Sequence, residues 1–340
     1  MPMKSGTIIL LLLFLLFQGW NGVGLGDLFA QEDVTDVRLY NQMAWLSSHN
    51  AFNNSEDGWL VNNNQSLSYE RQYEFGVRGF FLDLYWYNPG SGEKAYIALC
   101  HENKDKIGLY FGGCPLTLLT RLDAPPKFET FLKHVKGWLQ KDPAAIITLH
   151  LESYLGEQSQ KPLKALLKKT GLAQFLFKEI SAGKIQQDVT HWKTLKEMRQ
   201  MNQRLVIFSD NRSDGFVNIA SYRETKYDLG QFPHCEMRGE GRSLTNDLFV
   251  MNHFYEVPWS MTRDYVKINS FGSIAECVVK CCQEQGRLPN FIVLDFVEQG
   301  EAGKLVSQLN KLNFSQRDPK QCASIIAVKI EKIEPRSSEL

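Results

Sequence analysis

The stretch GVRGFFLDLY, residues 76–85, decides the fold, because it is a short apolar run that ends near a carboxylate, Asp83. Short apolar runs of this length are predicted as strands. Working outward, three further runs share the pattern and also end in polar side chains: SSHNAF (47–52), IITLHLES (146–153) and PNFIVLDF (289–296). The repetition of one pattern along the chain indicates a sheet whose strands carry polar groups at their carboxyl ends.

Eight runs in all are predicted as strands, and helical patterns lie between several of them. The strands are 43–48, 78–85, 96–100, 145–151, 205–208, 248–251, 291–296 and 324–330. Apolar residues recur at three- and four-residue spacing over 127–141, and a second helix is predicted over 273–286, where Gly286 is its stop signal. This alternation favours a single-domain α/β barrel over a sandwich. The pattern alone does not separate a barrel from an open doubly wound sheet.

Composition narrows the class of function. The 340 residues are 43% hydrophobic, enough for a large core, and the 38 basic and 38 acidic residues cancel. A neutral chain lacks the basic surface that non-specific nucleic-acid binding needs, so no nucleic-acid partner is expected. The mean hydropathy of -0.29 argues against a protein with several membrane spans.

The N-terminus is predicted to be a secretory signal peptide over residues 1–26. Lys4 precedes an unbroken apolar run over 8–17, and small residues follow up to Gly26. The apolar run is shorter than the roughly 20 residues of a comfortable membrane span, although an uncleaved anchor is the alternative. The sequence therefore predicts a secreted or extracytoplasmic protein.

Cysteine content fits an oxidising compartment, where disulfides persist. The chain has seven cysteines: Cys100, Cys114, Cys235, Cys277, Cys281, Cys282 and Cys322. Cys100 and Cys114 flank a short loop and form the first candidate pair. Cys277 and Cys281 share one face of a predicted helix, so each is expected to bond elsewhere. A zinc site on the Cys277–Cys282 cluster is the less favoured alternative, because no CxxC motif or nearby histidine completes it.

Ionisable groups cluster at the predicted carboxyl ends of the strands. They are His49 with Asn50, then Asp83, His101, Glu152, Asp210 and Asp295. In an α/β barrel, catalytic groups project from this end of the strands. A single strand-end histidine is as often structural, and a strand-end aspartate often caps a helix. Four consecutive strands with such ends favour a functional site.

These motifs resemble the X-domain of phosphatidylinositol-specific phospholipase C, and in particular the secreted phospholipase C-like phosphodiesterases of plants, fungi and bacteria. The resemblance rests on SSHNAF, GVRGFFLDLY, LCH and a strand that ends in glutamate, in that order. Later segments are also similar: WKTLKEMRQMNQRLVIFSD, CEMRGEGRSL and GRLPNFIVLDF. The likeness implies an irregular TIM-type (βα)8 barrel, assigned to residues 40–332. It also implies cleavage of a phosphodiester, with two histidines flanking the phosphorus.

The chemistry of that reaction agrees with the residues present. Cleavage needs a base to accept a hydroxyl proton and an acid to protonate the leaving alkoxide, and histidine can do either. By the resemblance, His49 is the base or stabilises the phosphorane, and His101 is the acid. Asp295 is expected to orient His49, as carboxylates do in other dyads. The catalytic prediction is therefore His49, His101 and Asp295.

A divalent cation is predicted to offset the charge on the phosphate. Asn50, Asp83 and Glu152 would supply hard oxygen ligands, which suit Ca²⁺, or Mg²⁺ with more waters. Acidic residues at the last two positions resemble the calcium-dependent members of the family rather than the metal-free ones. One departure is Phe81, which stands where the calcium enzymes have a further glutamate. A missing ligand there puts cation affinity and turnover in question.

The leading interpretation is a secreted, metal-dependent phosphodiesterase that acts on a phospholipid or related phosphodiester, with peripheral contact to a membrane. Trp86 and Tyr87 are either an apolar rim for lipid or core residues. A catalytically weak member that binds lipid head groups is the second interpretation, and Phe81 favours it. A glycosidase that uses Asp83 and Glu152 as its carboxylate pair is the third, but it leaves both histidines without a role.

Overall fold

A computed structural model describes residues 37–59, 63–89, 94–100, 124–157, 159–178, 180–181, 184–185, 191–214, 216–218, 222–226, 233–239, 248–255 and 264–312. The strands in these ranges, numbered in chain order, are β1 (Trp45–Ser48), β2 (Gly79–Tyr87), β3 (Tyr96–Leu99), β4 (Ile147–Ser153), β5 (Ile180–Ser181), β6 (Lys184–Ile185), β7 (Leu205–Ser209), β8 (Val217–Asn218), β9 (Tyr222–Glu224), β10 (Leu248–His253) and β11 (Phe291–Leu294). The helices are α1 (Tyr69–Glu74), α2 (Phe128–Lys141), α3 (Gln160–Thr170), α4 (Leu195–Gln200), α5 (Tyr265–Ile268), α6 (Phe271–Gln285) and α7 (Ala302–Lys311).

Eight parallel strands form the sheet that carries the site. Their order across the sheet is β8-β7-β4-β2-β1-β11-β10-β9, so chain neighbours are sheet neighbours and the last strand, β11, returns to the first. This is the strand order of a (βα)8 barrel. Within the described residues, no ladder joins β8 to β9, which is the irregularity of this barrel. The predicted fold class, an irregular TIM-type α/β barrel, is confirmed.

The curvature of the sheet is visible from the side chains inside it. The His150 ring on β4 stacks on Phe81 of β2 at 4.0 Å between centroids. It also packs against Phe291 of β11 at 4.6 Å and Tyr222 of β9 at 5.5 Å. Strands that lie apart in the sheet order therefore meet across a shared interior, which is lined by aromatic and branched side chains.

A second apolar layer lies between the outer face of the sheet and the helices. In α2 the buried residues recur at helical spacing, as Phe128, Phe131, Leu132, Val135, Trp138 and Leu139. In α6 the helix begins at an N-cap serine, Ser270, and ends at Gly286, whose φ of 67° is the left-handed conformation that glycine tolerates. Both helices lie where the sequence predicts them, within two residues at each end.

One strand prediction differs from the structure, another lies outside it, and two short strands were not predicted. Residues 96–99 form a strand, but it pairs antiparallel to β2 and stays outside the barrel order. The barrel instead includes β8 and β9, which are too short to show a hydrophobic period. The predicted strand at 324–330 lies outside the described residues.

Cys235 and Cys281 form a disulfide between the segment before β10 and α6. Cys100 is also in the disulfide-bonded form, and Cys282 is too. Cys281 thus bonds away from Cys277, as expected, and the alternative of a zinc site is wrong because two of its three thiols are oxidised. Cys114, of the first candidate pair, lies outside the described residues. In the part of the chain described, no helix has both the length and the apolar character of a membrane span.

Candidate active site

Two neighbouring strands, β1 and β11, bring a histidine and a carboxylate together at the mouth of the barrel. His49 follows β1, Asp295 follows β11, and His49 Nδ1 lies 2.8 Å from Asp295 Oδ1. The Asp295 side chain is fully buried, whereas the His49 side chain keeps 21% of its surface exposed. The buried carboxylate binds the Nδ1 proton, so Nε2 is the nitrogen of the neutral ring that accepts a proton.

Packing and backbone contacts hold the His49 ring. Its face stacks on Phe254, which directly follows β10, with ring centroids 3.8 Å apart and planes 9° apart. The His49 backbone N–H donates to the Leu294 carbonyl at 2.9 Å. Gln65, fully buried, donates from Nε2 to the carbonyls of His49 and Leu294 at 2.8 and 2.9 Å. The ends of β1 and β11 are thus tied together beneath the dyad.

Three asparagines extend this hydrogen-bonded unit. Asn64 Nδ2 donates to Asp295 Oδ1 at 3.0 Å, and Asn64 Oδ1 accepts from Asn50 at 3.3 Å and from Asn53 at 2.8 Å. Asn50 has a φ of 42°, a left-handed conformation that asparagine adopts more readily than most residues. Asn50 therefore turns the chain directly after His49.

A group of carboxylates lies on the adjoining strands β2, β4 and β7. Asp83 and Glu152 are direct partners in the β2–β4 register, and Asp210 follows β7, the next strand in the sheet. Asp83 is almost completely buried. Burial, together with the negative charges of Glu152 and Asp210, raises the pKa of Asp83 well above its usual value. Such crowding of like charge is relieved by a proton or by a cation.

The predicted cation ligands fit a hard divalent ion in their chemistry. Asn50 follows β1, Asp83 lies in the middle of β2 and Glu152 is the second-last residue of β4. These three strands are adjacent in the sheet. They offer one amide and two carboxylate oxygens, and the raised pKa of Asp83 marks a place where positive charge is favourable. Among the described residues, no three His, Cys, Asp or Glu side chains are grouped as a metal site.

An arginine also enters the mouth from the segment before β10. Arg238 Nη1 lies 3.8 Å from Glu152 Oε1 and 3.8 Å from Glu224 Oε2. Glu224 in turn accepts from Asn252 Nδ2 at 3.0 Å. The guanidinium thus lies between the carboxylates of β4 and β9, whereas His49 follows β1.

Phe81 stands where the sequence resemblance predicts a further acidic ligand. Its ring stacks on His150, which is buried among aromatic side chains rather than exposed in the mouth. Arg78, at the other end of β2, donates to the carbonyls of Tyr73 and Val77 and lies over the Tyr73 ring, so its role is structural.

The rim of the mouth carries exposed aromatic side chains. Trp86, near the end of β2, is 47% exposed, and Tyr154, directly after β4, is 53% exposed. Trp86 Nε1 donates to the Leu155 carbonyl at 3.1 Å, which fixes the indole at this rim. An open groove of about 830 Å³ adjoins it, lined by Trp86, Leu155, Glu157, Gln160, Lys161 and Pro162.

His101 lies outside the described residues. The residue before it, Cys100, donates its backbone N–H to the Asp83 carbonyl at 3.3 Å. The antiparallel strand β3 therefore returns the chain to the level of Asp83.

Sequence reasoning missed Asn64, Arg238, Glu224 and Phe254. Asn64 lies in an asparagine-rich loop with no period. Arg238 lies in CEMRGEGRSL, a segment that carries the family resemblance, but no role was predicted for it. Phe254 lies three residues beyond the predicted strand 248–251, and the sequence carried no signal for its contact with His49.

Comparison with known proteins gives a consistent set of relatives. The model of the PI-PLC X domain matches residues 36–310. A PI-PLC X domain-containing protein of Arabidopsis thaliana is 25% identical over 81% of this chain and 62% of its own length, so the chain spans less than two thirds of that relative. PI-PLC X domain-containing protein 1 of Arthroderma benhamiae is 24% identical over 81% of this chain and 87% of its own length. Among solved structures, a phosphatidylinositol-specific phospholipase C from Listeria monocytogenes aligns with a TM-score of 0.46 and 14% identity, over 85% of this chain and 99% of that one.

Proposed function

The chain belongs to the PI-PLC X domain family, and on that premise we propose that it is a phosphoric diester hydrolase of the phospholipase C type. The observation that carries the proposal is the His49–Asp295 pair, 2.8 Å apart at the mouth of the barrel. An imidazole oriented by a buried carboxylate is suited to accept a proton from an attacking hydroxyl. The substrate is proposed to be a phosphoinositide or a related lipid phosphodiester.

The second catalytic group is proposed to be His101, which would protonate the leaving alkoxide. The contact of Cys100 with Asp83 supports this role, because the residue that directly precedes His101 in the sequence lies beside one of the carboxylates. The two histidines divide the work of acid and base, so that His49 takes up a proton and His101 supplies one.

Asn50, Asp83 and Glu152 are proposed to hold Ca²⁺, or Mg²⁺ with more waters. When bound, such an ion would offset the negative charge that develops on the phosphate. Asp83 is the buried carboxylate of this set. Glu152 is its register partner on the neighbouring strand. Two carboxylates that are register partners on neighbouring strands support a cation-dependent reaction.

We also propose that the protein is exported, with residues 1–26 as its signal peptide. The disulfide between Cys235 and Cys281 supports this, since disulfides persist in oxidising compartments. The exposed Trp86 and Tyr154 support peripheral contact with a membrane, where aromatic side chains are favoured at the interface.

A substrate panel tests the proposed function. The full chain, purified from a secretory host, is assayed with phosphatidylinositol, lysophospholipid and glycan-lipid substrates, in Ca²⁺ and in excess chelator. We expect phosphate-ester release that needs the cation and falls by about 10²–10⁴-fold in His49→Ala. The control His134→Ala removes a partly exposed ring that pairs with Glu70 and should change little.

Full activity in chelator would overturn the metal dependence, and an unchanged His49→Ala variant would overturn the catalytic assignment. Sugar release without phosphate-ester cleavage would instead favour a glycosidase.

A second function, binding of lipid head groups with little turnover, is favoured by two observations. Phe81 removes one acidic ligand, and Arg238 places a positive charge 3.8 Å from Glu152, one of the proposed ligands. The panel separates the two functions, because a binding protein retains head-group affinity but releases no product. Under this function, Phe81→Glu is expected to raise cation affinity.

A further inference from the structure

We infer that Asn64 is a positioning residue that joins the His49–Asp295 pair and the Asn50 side chain into one hydrogen-bonded unit. The inference rests on the proposed function for the roles of His49 and Asn50. It goes beyond that function, because it assigns a single side chain the task of fixing the proton-transfer group relative to the cation ligand.

The amide of Asn64 faces both parts of the site. Its Nδ2 lies 3.0 Å from Asp295 Oδ1 and 3.3 Å from His49 Nδ1. Its Oδ1 accepts from Asn50 Nδ2 at 3.3 Å and from Asn53 Nδ2 at 2.8 Å. One end of the amide thus contacts the dyad and the other end contacts the ligand.

Both backbone polar groups of Asn64, the N–H and the carbonyl, are hydrogen-bonded. Its N–H donates to the Asn53 carbonyl at 3.0 Å, and its carbonyl accepts from the Phe296 N–H at 2.7 Å. Its neighbour Gln65 is fully buried and accepts from the Val297 N–H at 3.1 Å. The loop is therefore tied to the turns that follow β1 and β11, so the amide has a fixed place between them.

Only an amide satisfies all of these partners. Asp295 requires a donor, whereas Asn50 and Asn53 present donors and require an acceptor. Aspartate at position 64 would keep the acceptor for Asn50 but would place a second carboxylate against Asp295. Alanine would remove both halves of the contact and leave buried polar groups without this partner, which is costly.

These two substitutions separate the two halves of the unit. Asn64→Ala is expected to lower kcat with KM within about threefold, and to weaken Ca²⁺ binding by about 10–100-fold, the usual effect of losing an outer hydrogen-bond partner. Asn64→Asp is expected to lower kcat as well, but not to weaken Ca²⁺ binding, because Asn50 keeps its acceptor. The control Asn63→Ala removes a buried neighbour that donates to the Trp59 carbonyl, and it should change neither quantity.

Two readouts need no substrate. Calorimetry with Ca²⁺ alone measures the cation half. The His49 Nδ1 proton resonance measures the dyad half, since it is observed only while the bond to Asp295 is protected from exchange with water. We expect this proton to exchange at least about tenfold faster in Asn64→Ala than in the wild type.

The inference is overturned if Asn64→Ala leaves both the Nδ1 proton and Ca²⁺ affinity as in the wild type, or if Asn63→Ala changes them equally. If Asn64→Ala does not fold, Asn64→Asp decides: a normal kcat in that variant overturns the inference. If the wild type cleaves no phosphodiester, the proposed function fails, while the proton resonance and the calorimetry still test Asn64.

Discussion

At the scale of single residues, the orientation of the His49 ring depends on its hydrogen bond to the Asp295 carboxylate, which is buried from solvent. Asp295 accepts from His49 and Asn64 on one oxygen and from the Tyr265 hydroxyl, 3.5 Å away, on the other. The donors around the buried Asp295 carboxylate therefore fix its orientation. A change that keeps the shape of this side chain but removes its charge isolates the contribution of the anion.

Asp295→Asn is expected to lower kcat by between about 10²- and 10⁴-fold, because an amide can donate to Nδ1 and reverse the tautomer of the ring. The measurement is turnover of the substrate identified in the panel, together with thermal melting to show that the fold persists. Tyr265→Phe is the matched comparison. It removes a hydroxyl at the limit of hydrogen-bond distance and should cost no more than about threefold. Equal losses in the two variants would count against a role for the anion.

A second histidine gives the molecule an acid-sensitive stability. His253 is fully buried, its Nε2 lies 3.0 Å from the Ile268 carbonyl, and burial, with a smaller effect of His234, lowers its pKa to about 4. Between pH 6.5 and 4 the unfolded chain binds a proton that the folded chain does not. The free energy of unfolding is thus unaffected above pH 6.5 and falls as the pH drops below it.

We expect the wild type to lose roughly 2 kcal/mol more than His253→Gln between pH 7.5 and pH 5, from the shift of about 1.4 kcal/mol per pH unit. Urea unfolding at the two pH values measures this difference. His134→Gln changes a partly exposed ring and serves as the control. The idea fails if all three proteins show the same dependence on pH.

At the scale of elements, the spacing of β1 and β2 sets the distance between the histidine and the carboxylates. Ser47 and Gly79 are partners in this register, and a Cβ atom on Gly79 would overlap the Ser47 side chain. Glycine is needed there for close approach of the strands. By contrast, Gly137 lies in α2 with open space around its Cα.

Gly79→Ala is therefore expected to destabilise the fold by about 1–3 kcal/mol, the usual cost of overpacking. Gly137→Ala should stabilise it by about 0.5–1 kcal/mol, because alanine is favoured over glycine inside a helix. Thermal and denaturant unfolding measure both. The double variant Ser47→Gly/Gly79→Ala should recover much of the loss, since the overlapping side chain is gone. No recovery would mean that the Ser47–Gly79 contact is not the cause.

The elements also show what the sequence can and cannot predict. α2 and α6 were predictable, because a long helix repeats its buried residues and ends at recognisable residues such as Gly286. The strand at 96–99 was predictable as a strand but not as an antiparallel partner of β2, since alternation carries no information on direction. β8 and β9, of two and three residues, are defined by their neighbours in the sheet and not by their own composition.

The same limit applies to the site. His49, Asp83, Glu152 and Asp295 could be predicted as site residues because each lies at or near the end of a clear apolar run. Asn64 could not be found, because its place depends on backbone contacts with Asn53 and Phe296, the second of which is far away in the chain. The contacts of Arg238 could not be predicted either, because its two carboxylate partners lie on different strands that the curvature of the sheet brings within reach of one side chain.

At the scale of the whole molecule, exposed aliphatic side chains lie at both ends of the barrel, whereas the large exposed aromatic side chains of the described residues lie at the carboxyl end. Trp86 and Tyr154 lie at the carboxyl ends of β2 and β4, beside the proposed site. Met201, also 53% exposed, follows α4 and precedes the amino end of β7, so it lies at the opposite end. A phosphodiester in a lipid head group can enter the mouth only if that end of the barrel faces the bilayer.

Trp86→Ala and Tyr154→Ala are therefore each expected to weaken binding to phosphatidylcholine vesicles that contain phosphatidylinositol, by about tenfold, since an aromatic side chain loses roughly 1.5 kcal/mol or more of burial. Met201→Ala removes a similarly exposed side chain from the far end and should bind as the wild type does. Vesicle sedimentation measures the binding. Because the rim lies outside the dyad, hydrolysis of a soluble phosphodiester should be unchanged in all three variants. If Met201→Ala weakens binding as much as Trp86→Ala, the bilayer does not face the mouth, and a lipid substrate would have to leave the membrane before it reaches His49.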